Sequence, residues 1–331
     1  MTRKKILLVG FFGWGNFGDE LFLETHRQQL GEDYELIVAN DLTKAPYFSR
    51  PVAEIVSEVD AVLIGGGDLI NPVNVSGLYW CEEFLEKPVF VFGIGVPNTR
   101  RQKDSTIAYY RSFMQHENCK LVVARDVESY NWLESNLGLG DKLTWHPDPV
   151  CSYKRPAKRK SHEKTLGVVM REHRSLSQDM SPVQRLIEEA RRMDYKVKHI
   201  VLANQELGRA DYERAKIIAS EGDEIVYTED LNEMCAEISS LSALASIKFH
   251  GMIVAAMYGV PTIAMSVTPK NRNFLKMIDR SEMLQSYTHP ELYKRLSWYP
   301  ARISPQTRYW LLRGSRAGYE LLKNEIAKAI A

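Results

Sequence analysis

The sequence lacks the features that define several protein classes. Its four cysteines lie far apart and form no Cys-x-x-Cys pair, which argues against a zinc knuckle or a disulfide scaffold and favours a reducing compartment. The 43 basic residues almost balance the 42 acidic residues, so no global charge attracts nucleic acid. No apolar run approaches the roughly 20 residues that cross a bilayer. A cytoplasmic protein that does not bind nucleic acid is therefore expected.

The apolar run near the start of the chain is short. Residues 6–12 follow the basic Arg3, Lys4 and Lys5, but the run ends in Gly13-Trp14-Gly15-Asn16 with no small-residue cleavage site. We therefore expect a first β-strand there and not an export signal.

The first half of the chain repeats one pattern: an apolar run, a glycine cluster and an amphipathic segment. The runs do not alternate with polar residues, which is typical of a parallel sheet covered on both faces. The spacing leaves room for crossover helices. The runs are residues 6–12, 35–39, 61–64, 89–92 and 121–124.

A charged stretch without apolar periodicity, residues 153–164, predicts a linker. A second series follows, with strands predicted at 165–170, 197–203, 224–227, 245–249 and 261–266 and helices at 182–193, 210–220, 231–239 and 251–258. The sequence thus predicts an α/β protein with two open parallel-sheet, Rossmann-like domains, 1–152 and 165–303, facing a cleft. A C-terminal helix in 304–331 is expected to pack back on the first domain. In such sheets, ligands bind beyond the carboxyl ends of the strands.

A glycine motif follows the first strand. Gly13, Gly15 and Gly18 match the GxGxxG spacing of dinucleotide sites. Asp19 and Glu20 come next at the start of a helix, where two carboxylates would repel a pyrophosphate, so NAD and FAD are disfavoured. The loop would instead carry Asn16 and Asp19 toward the cleft, although a turn residue and a helix cap use the same residue types.

Glycines also follow later strands of the first half. Gly66 lies in a triple-glycine run before Asp68, and Gly93 follows the next strand. Glycine at a strand end allows close approach of a bulky ligand, although tight turns alone would also produce it. Arg125 stands at the next strand–helix junction, where a local ion pair would explain it equally well.

Basic residues end three strands of the second domain. Arg171 ends one strand, Lys248, His250 and Gly251 stand where another meets a helix, and Lys270 follows the last. Parallel strands would bring them to one edge of the sheet, as a compact site for a small substrate with a carboxylate and a phosphate. Each residue alone is explained as a solvated or structural side chain, so the joint placement carries the inference.

These residues give the chain a resemblance to the polysaccharide pyruvyl transferase family. The matching segments, in order over about residues 5–275, are Gly15-Asn16-Phe17-Gly18-Asp19-Glu20, Gly65-Gly66-Gly67, Ala124-Arg125-Asp126-Val127-Glu128-Ser129, Asp148-Pro149, Arg171, Phe249-His250-Gly251, residues 255–261 and Lys270. The resemblance implies a GT-B-like fold and transfer of a pyruvyl group from phosphoenolpyruvate to a sugar hydroxyl of a cell-surface polysaccharide or its lipid-linked precursor, with release of phosphate. The sequence departs from the family at Lys248, where the family often has arginine. Lysine cannot make the two parallel hydrogen bonds that an arginine guanidinium makes to a carboxylate.

The resemblance also implies roles for the residues of the second domain. His250 would protonate the donor as a general acid. Arg171 would hold the donor's carboxylate or phosphate and Lys270 the phosphate, and Lys248 and Gly251 would also take part in binding the donor. The residues expected on the acceptor side are Asn16, Asp19, Gly66, Asp68, Gly93 and Arg125. Asp19 or Asp68 would orient or deprotonate the acceptor hydroxyl.

No metal and no cofactor are expected, with phosphoenolpyruvate acting as a co-substrate. The sequence has no HExxH motif, no Asp-x-Asp at a strand end and no His/Cys cluster. Two other functions stay open, because fold alone does not choose among them. One is a GT-B-type glycosyltransferase that uses a nucleotide sugar. The other is a non-catalytic glycan-binding relative, which the departure at Lys248 keeps open.

The segment 291–316 is basic and aromatic. It carries six basic residues and one acidic residue, with Trp298, Tyr299, Tyr309 and Trp310 interleaved. This composition fits a membrane surface or a lipid-linked pyrophosphate sugar. It fits equally a helix that packs its aromatic side chains on the core and keeps its charges in water. Peripheral contact with the inner membrane face is thus an expectation beside a cytoplasmic location.

Overall fold

The fold comes from a computed structural model that describes residues 3–39, 48, 50–97, 101–172, 179–297 and 302–331. The chain forms two compact units, one of Met1–Trp14, Leu21–Tyr153 and Leu311–Ala331 and the other of Gly15–Glu20 and Lys154–Trp310. The short Gly15–Glu20 segment therefore groups with the second unit, whereas the sequence pattern assigns it to the domain 1–152. The end of the chain groups with the first unit.

Each unit contains one parallel β-sheet. The strands of the first are β1 (Lys5–Val9), β2 (Glu35–Val38), β3 (Ala61–Ile64), β4 (Val89–Ile94), β5 (Cys119–Ala124) and β6 (Leu143–Trp145). The strands of the second are β7 (Thr165–Val169), β8 (Lys196–Ile200), β9 (Glu224–Val226), β10 (Ala243–Ser246) and β11 (Thr262–Ala264). The first sheet has the order β2-β1-β3-β4-β5-β6 and the second β11-β10-β7-β8-β9. Two parallel α/β units confirm the predicted fold class.

Helices connect the strands. They are α1 (Phe17–Leu30), α2 (Val52–Ser57), α3 (Asp104–Gln115), α4 (Val127–Leu137), α5 (Ser181–Arg192), α6 (Gln205–Ile218), α7 (Leu231–Ser240), α8 (Phe249–Tyr258), α9 (Pro269–Met277), α10 (Lys294–Ser297) and α11 (Pro305–Ala329). Short 3₁₀ turns lie at Glu82–Glu86, Gly140–Lys142, Pro149–Ser152 and Ser281–Met283. Within the described residues, every helix is too short or too polar to serve as a transmembrane span.

The central strands are apolar because both of their faces are covered. Every residue of β3, β4 and β7 is buried, as expected for parallel strands between two helical layers. The predicted strand 245–249 was displaced along the chain: β10 spans Ala243–Ser246, and Phe249 already begins α8. An apolar residue satisfies the burial of either element, so periodicity could not place this boundary.

The basic and aromatic segment 291–316 is described only in part. Trp298 and Tyr299 lie outside the described residues, whereas Tyr309 and Trp310 lie on α11 and are 60% and 43% exposed.

A buried polar pair holds the C-terminal part of α11, from Leu311 onward, in the first unit. The Tyr319 hydroxyl donates a hydrogen bond to His26 Nδ1 over 2.9 Å, and both side chains are fully buried. His26 Nε2 lies 3.4 Å from the carbonyl oxygen of Gly65, which starts the triple-glycine run. Burial lowers the pKa of His26 to about 4, so the ring is neutral at physiological pH.

Candidate active site

The second sheet has a topological switch point between β7 and β10. From β7 the chain continues outward through β8 and β9, whereas β10 and β11 extend the sheet in the other direction. Ligands of open α/β sheets bind beyond the carboxyl ends of the two strands at such a point. Arg171 follows the end of β7 and Lys248 follows the end of β10. The two residues therefore flank the crevice in which a ligand is expected.

His250 is the second residue of α8 and lies against the start of α1. A β-carbon on Gly18 would stand 1.8 Å from His250 Nδ1, closer than real contacts allow. Only glycine at residue 18 leaves room for the ring. On its other side, the ring contacts Phe249 edge-on at a centroid distance of 5.1 Å. The imidazole is thus held between α1 and its own helix.

Asp19 occupies the first turn of α1, where the Asn16 side chain donates a hydrogen bond to its carboxylate. Burial raises the pKa of Asp19 to about 6, while the nearby charges of His250 and Lys270 act in the opposite direction. Lys270 is the second residue of α9, and its Nζ lies 5.7 Å from the centre of the Phe249 ring. Asp19, His250 and Lys270 therefore share one electrostatic environment.

The segment that carries Asp19 is anchored on the loop after β8. The backbone N–H of Asn204 donates to the carbonyl oxygen of Gly15 over 2.6 Å, and Asn16 pairs with Ala203 in an antiparallel bridge. This anchoring explains why Asn16 and Asp19 lie with His250 and Lys270, although the sequence assigned them to the acceptor side.

Lys248 is a buried cation at the N-cap of α8. Its Nζ lies 2.6 Å from Asp211 Oδ2 and donates a hydrogen bond of 2.8 Å to the carbonyl oxygen of Leu202. Burial lowers the pKa of Lys248. Asp211 and, less strongly, Asp19 act to raise it, and the positive charge of Arg171 acts to lower it. Lys248 thus lies near Arg171, but Asp211 and Leu202 already engage its ammonium group.

Asp211, on α6, is a residue that sequence reasoning missed. It is 4% exposed, and its second carboxylate oxygen accepts the backbone N–H of Glu172 over 2.7 Å. Arg214 holds the side chain of Glu172 through an Nε–Oε2 bond of 2.6 Å. Asp211 therefore fixes both Lys248 and the backbone directly after Arg171. Its sequence position in an amphipathic helix carries no signal of this function.

Gly251 packs α8 against the sheet. A β-carbon at this residue would lie 2.6 Å from Leu202 Cδ1 and 3.1 Å from Ser246 Oγ. These two contacts account for a glycine at residue 251 without any contact to the donor.

In the first unit, Arg125 is surrounded by carboxylates. Its side chain is 2% exposed, forms an ion pair with Asp68, and lies 4.0 Å from both Asp126 and Asp148. Asp126 and Asp148 also accept backbone N–H groups at the starts of α4 and of a 3₁₀ turn. The buried guanidinium of Arg125 therefore partly balances the charge of these carboxylates and stabilises the interior of this unit. Asp68, with 19% of its side chain exposed, is more accessible than the other two carboxylates.

Gly66 and Gly93 serve close packing in the first unit. A β-carbon on Gly66 would lie 2.2 Å from Phe22 Cε1, and one on Gly93 would lie 2.5 Å from Pro149 Cγ. Gly93 also has a φ of +70°, which disfavours other residues. The structure thus gives both glycines a packing explanation.

Two of the three glycines of the dinucleotide-like motif, Gly15 and Gly18, lie against protein atoms, whereas a β-carbon on Gly13 would meet nothing within 4 Å. A β-carbon on Gly15 would lie 2.7 Å from the carbonyl oxygen of Asn204, and the space beside Gly18 is filled by His250.

Within the described ranges, no group of three His, Cys, Asp or Glu side chains is arranged to hold a metal ion.

Solved structures with a similar fold are nucleotide-sugar enzymes of GT-B-like architecture. UDP-GlcNAc 2-epimerase from Methanocaldococcus jannaschii has a TM-score of 0.63 at 11% identity, over 98% of this chain and 100% of that one. The MnaA protein of S. aureus, solved with UDP, has a TM-score of 0.60 at 11% identity, over 98% and 96%. A mutant of O-GlcNAc transferase from Thermobaculum terrenum has a TM-score of 0.51 at 12% identity, over 99% and 68%. These similarities establish the fold alone.

The family is established by sequence. A search of curated proteins finds no match. The family model for polysaccharide pyruvyl transferases, in contrast, matches residues 16–269. This range begins at Asn16, ends at the first residue of α9, and includes Asp19, Arg171 and His250. The chain therefore belongs to the polysaccharide pyruvyl transferase family of enzymes.

Proposed function

We propose that the enzyme transfers a pyruvyl group from phosphoenolpyruvate to a sugar hydroxyl and releases phosphate. The observation that carries this proposal is the convergence of basic side chains at one switch point of the second sheet. Arg171 and Lys248 follow neighbouring strands, and His250 and Lys270 begin neighbouring helices around Asp19. A small donor with a carboxylate and a phosphate matches this charge arrangement.

Arg171 and Lys270 would bind the donor directly. Arg171 is exposed at the end of β7, and its planar guanidinium suits a carboxylate or a phosphate. Lys270 is half-buried at the start of α9, where helix N–H groups also favour an anion. Lys248 would act indirectly, because Asp211 and Leu202 occupy its ammonium group. It would supply positive potential and hold the crevice in shape.

His250 would act as the general acid. Transfer of its proton to the methylene carbon of the donor makes a methyl group and leaves positive charge on the carbon that bears the phosphate oxygen. A sugar hydroxyl then adds to that carbon. Breaking of the carbon–oxygen bond to phosphate lets a second hydroxyl close a ketal. A positioned acid contributes about 10²–10⁴-fold to such a reaction.

Asp19 would accept the proton of the attacking hydroxyl. Its pKa of about 6 leaves it mostly ionised at neutral pH, and it shares the environment of His250. A carboxylate at this place would also help to return His250 to its protonated form for the next turnover. Asp68 of the first unit, which is held by Arg125, stays the alternative acceptor-side residue that the sequence predicts. The acceptor would be a cell-surface polysaccharide or its lipid-linked precursor.

We also place the reaction in the cytoplasm, without a cofactor. All four cysteines are free thiols, and three of them are buried. Unpaired cysteines are typical of proteins in a reducing compartment.

Phosphate release tests the proposed reaction. The purified protein is incubated with phosphoenolpyruvate and candidate glycans, and phosphate and the mass gain of the glycan are measured. His250→Ala is expected to lose at least 100-fold in rate, the contribution of a positioned acid. His162→Ala, at an exposed histidine of the same unit, is the matched control and should keep full activity. Turnover of His250→Ala near that of the wild type would contradict the assignment.

A donor screen separates the alternatives. Thermal stabilisation by a nucleotide sugar and not by phosphoenolpyruvate would favour a glycosyltransferase on the same fold. Saccharide binding with no product from any donor would favour a non-catalytic relative.

A further inference from the structure

A buried hydroxyl group lies at the turn between β10 and α8. Ser246 is the last residue of β10 and is 1% exposed. Its hydroxyl donates a hydrogen bond of 2.8 Å to the carbonyl oxygen of Lys248, and its oxygen accepts the backbone N–H of Lys248 over 3.1 Å. One side chain therefore holds both backbone polar groups of the residue at the N-cap of α8.

The side chain of the N-cap residue does not stabilise this turn. A typical N-cap side chain supplies an oxygen that accepts N–H groups of the first helical turn, whereas lysine has only donors. Among the described residues, the Lys248 side chain caps no N–H group, and its ammonium group is engaged by Asp211 and Leu202. Ser246 thus holds the N-cap backbone from the preceding strand.

The strand that carries Ser246 is fixed on both sides. β10 lies between β11 and β7, and Ser246 is in register with Ala264 and Val169. The carbonyl oxygen of Ser246 accepts the backbone N–H of Met265 over 2.8 Å. The hydroxyl therefore holds the turn from a well-defined point of the second sheet.

The first turn of α8 packs on this hydroxyl. A β-carbon on Gly251 would stand 3.1 Å from Ser246 Oγ, so the turn lies directly against the oxygen. His250 lies between Lys248 and Gly251 in the chain, and its ring fits against Gly18. A change in the direction of this turn would therefore move the imidazole relative to Gly18.

We propose that Ser246 is a positioning residue that orients His250 through the backbone of Lys248. Ser246 is buried and its hydroxyl is engaged by two backbone groups, so it touches no reacting atom. A loss of rate on removal of the hydroxyl requires His250 to be the acid, so this consequence rests on the proposed function. The position of the ring is measured without any reaction.

NMR of the imidazole groups tests the position of His250. Two-dimensional ¹H–¹⁵N spectra are recorded on the full-length protein, and His250→Gln assigns the signals of this ring. We expect Ser246→Ala to shift these signals, because the turn loses two hydrogen bonds. The matched control is Ser239→Ala, which should leave them unchanged. Ser239 is also fully buried in the second unit, where it donates to the carbonyl oxygen of Ala236 over 2.7 Å and accepts the N–H of Arg159 over 2.9 Å.

Phosphate release measures the consequence for the reaction. A displacement of about 1 Å costs up to roughly 10²-fold in rate, so we expect kcat of Ser246→Ala to fall at least tenfold. KM for phosphoenolpyruvate should change less than kcat, because Arg171 and Lys270 lie on other elements. Ser246→Thr keeps the hydroxyl and should recover most of the rate. Ser239→Ala should keep its full kcat, although urea unfolding should show a similar loss of stability in both alanine variants.

The two measurements separate the possible failures. If the wild type releases no phosphate, the proposed function fails, and the NMR comparison still decides the role of Ser246. Unchanged His250 signals in Ser246→Ala, or equal shifts in Ser239→Ala, would overturn that role. A loss of kcat in Ser246→Thr as large as in Ser246→Ala would overturn the assignment to the hydroxyl. Circular dichroism checks that each variant folds. Should Ser246→Ala not fold, Ser246→Cys, with a weaker hydrogen-bonding group, replaces it with the same expected shift.

Discussion

Gly18 and His250 fit together so closely that a β-carbon on residue 18 would stand 1.8 Å from the imidazole Nδ1. The two residues are far apart in the sequence and belong to different helices, α1 and α8. The start of α1 thus fixes the ring that we propose as the acid. It also brings Asp19 into the electrostatic environment of that ring.

Gly18→Ala should therefore remove activity without unfolding the protein. The added methyl group must displace the His250 ring, and we expect the rate to fall by at least 100-fold, as for loss of a positioned acid. Steady-state phosphate release and thermal unfolding check this. Gly77→Ala is the matched control, because a β-carbon there meets nothing within 4 Å. Full activity in Gly18→Ala would show that the ring position is unimportant.

The rate should depend on ionisation of Asp19. A base with a pKa of about 6 is active when ionised, so kcat/KM should fall about tenfold per pH unit below pH 6. A phosphate monoester also titrates near pH 6, so the variant Asp19→Asn is needed to separate donor from enzyme. In that variant the residual activity should lose the acid limb that belongs to Asp19. An unchanged limb would assign the titration to the donor.

Asp211→Asn should damage the donor site indirectly. The asparagine still accepts the N–H of Glu172 but leaves Lys248 without its counter-ion, which we expect to cost about 3 kcal/mol in the free energy of unfolding. KM for the donor should rise about tenfold while kcat changes less, because a positioning residue touches no reacting atom.

A double variant tests whether Asp211 and Lys248 interact directly. Lys248→Met added to Asp211→Asn should recover part of the stability, because no buried charge is left alone. Glu163→Gln, in the exposed pair with Lys196, should cost less than about 1 kcal/mol. A purely additive double variant would argue against direct coupling of Asp211 and Lys248.

The His26–Tyr319 pair should make stability depend on pH. The pKa of His26 is lowered to about 4 in the folded protein from 6.5, so the unfolded chain binds more protons between these values. His26 makes its full contribution to the free energy of unfolding above pH 6.5. As the pH decreases, this contribution becomes smaller, by about 1 kcal/mol between pH 7.5 and pH 5.5. Urea unfolding at the two pH values measures it.

Comparison with His26→Gln isolates this contribution. Asp19 acts in the opposite direction over the same range, because its pKa is raised in the folded state. The difference in pH dependence between the wild type and His26→Gln removes that effect. Identical pH dependence in both proteins would contradict a buried neutral His26.

The sequence predicts the strands that carry strong apolar runs. β3 matches the predicted residues 61–64 in full, because all four residues are buried. β6 was missed because it has three residues and only Leu143 among them is buried. No helix was predicted at α9 because its first turn, which contains Pro269 and Lys270, is polar, although proline suits the first turn of a helix.

The site was predictable only in part. Arg171, His250 and Lys270 were grouped in the prediction because parallel strands end at one edge, and the structure places His250 and Lys270 in the electrostatic environment of Asp19. The position of Asp19 depends on the anchoring of Gly15–Glu20 to the loop after β8, a contact between distant parts of the chain with no local pattern. Asp211 lies in the interior of α6, where nothing in the helix pattern distinguishes it from an ordinary polar residue.

Direct titration of phosphoenolpyruvate by calorimetry tests the central claim, that the basic residues of the second unit bind this donor. We expect saturable binding to the wild type, at least tenfold weaker in Arg171→Gln and in Lys270→Gln, and unchanged in Arg192→Gln, whose arginine is 77% exposed on α5. Absence of binding, or equal affinity in all the variants, would contradict the account.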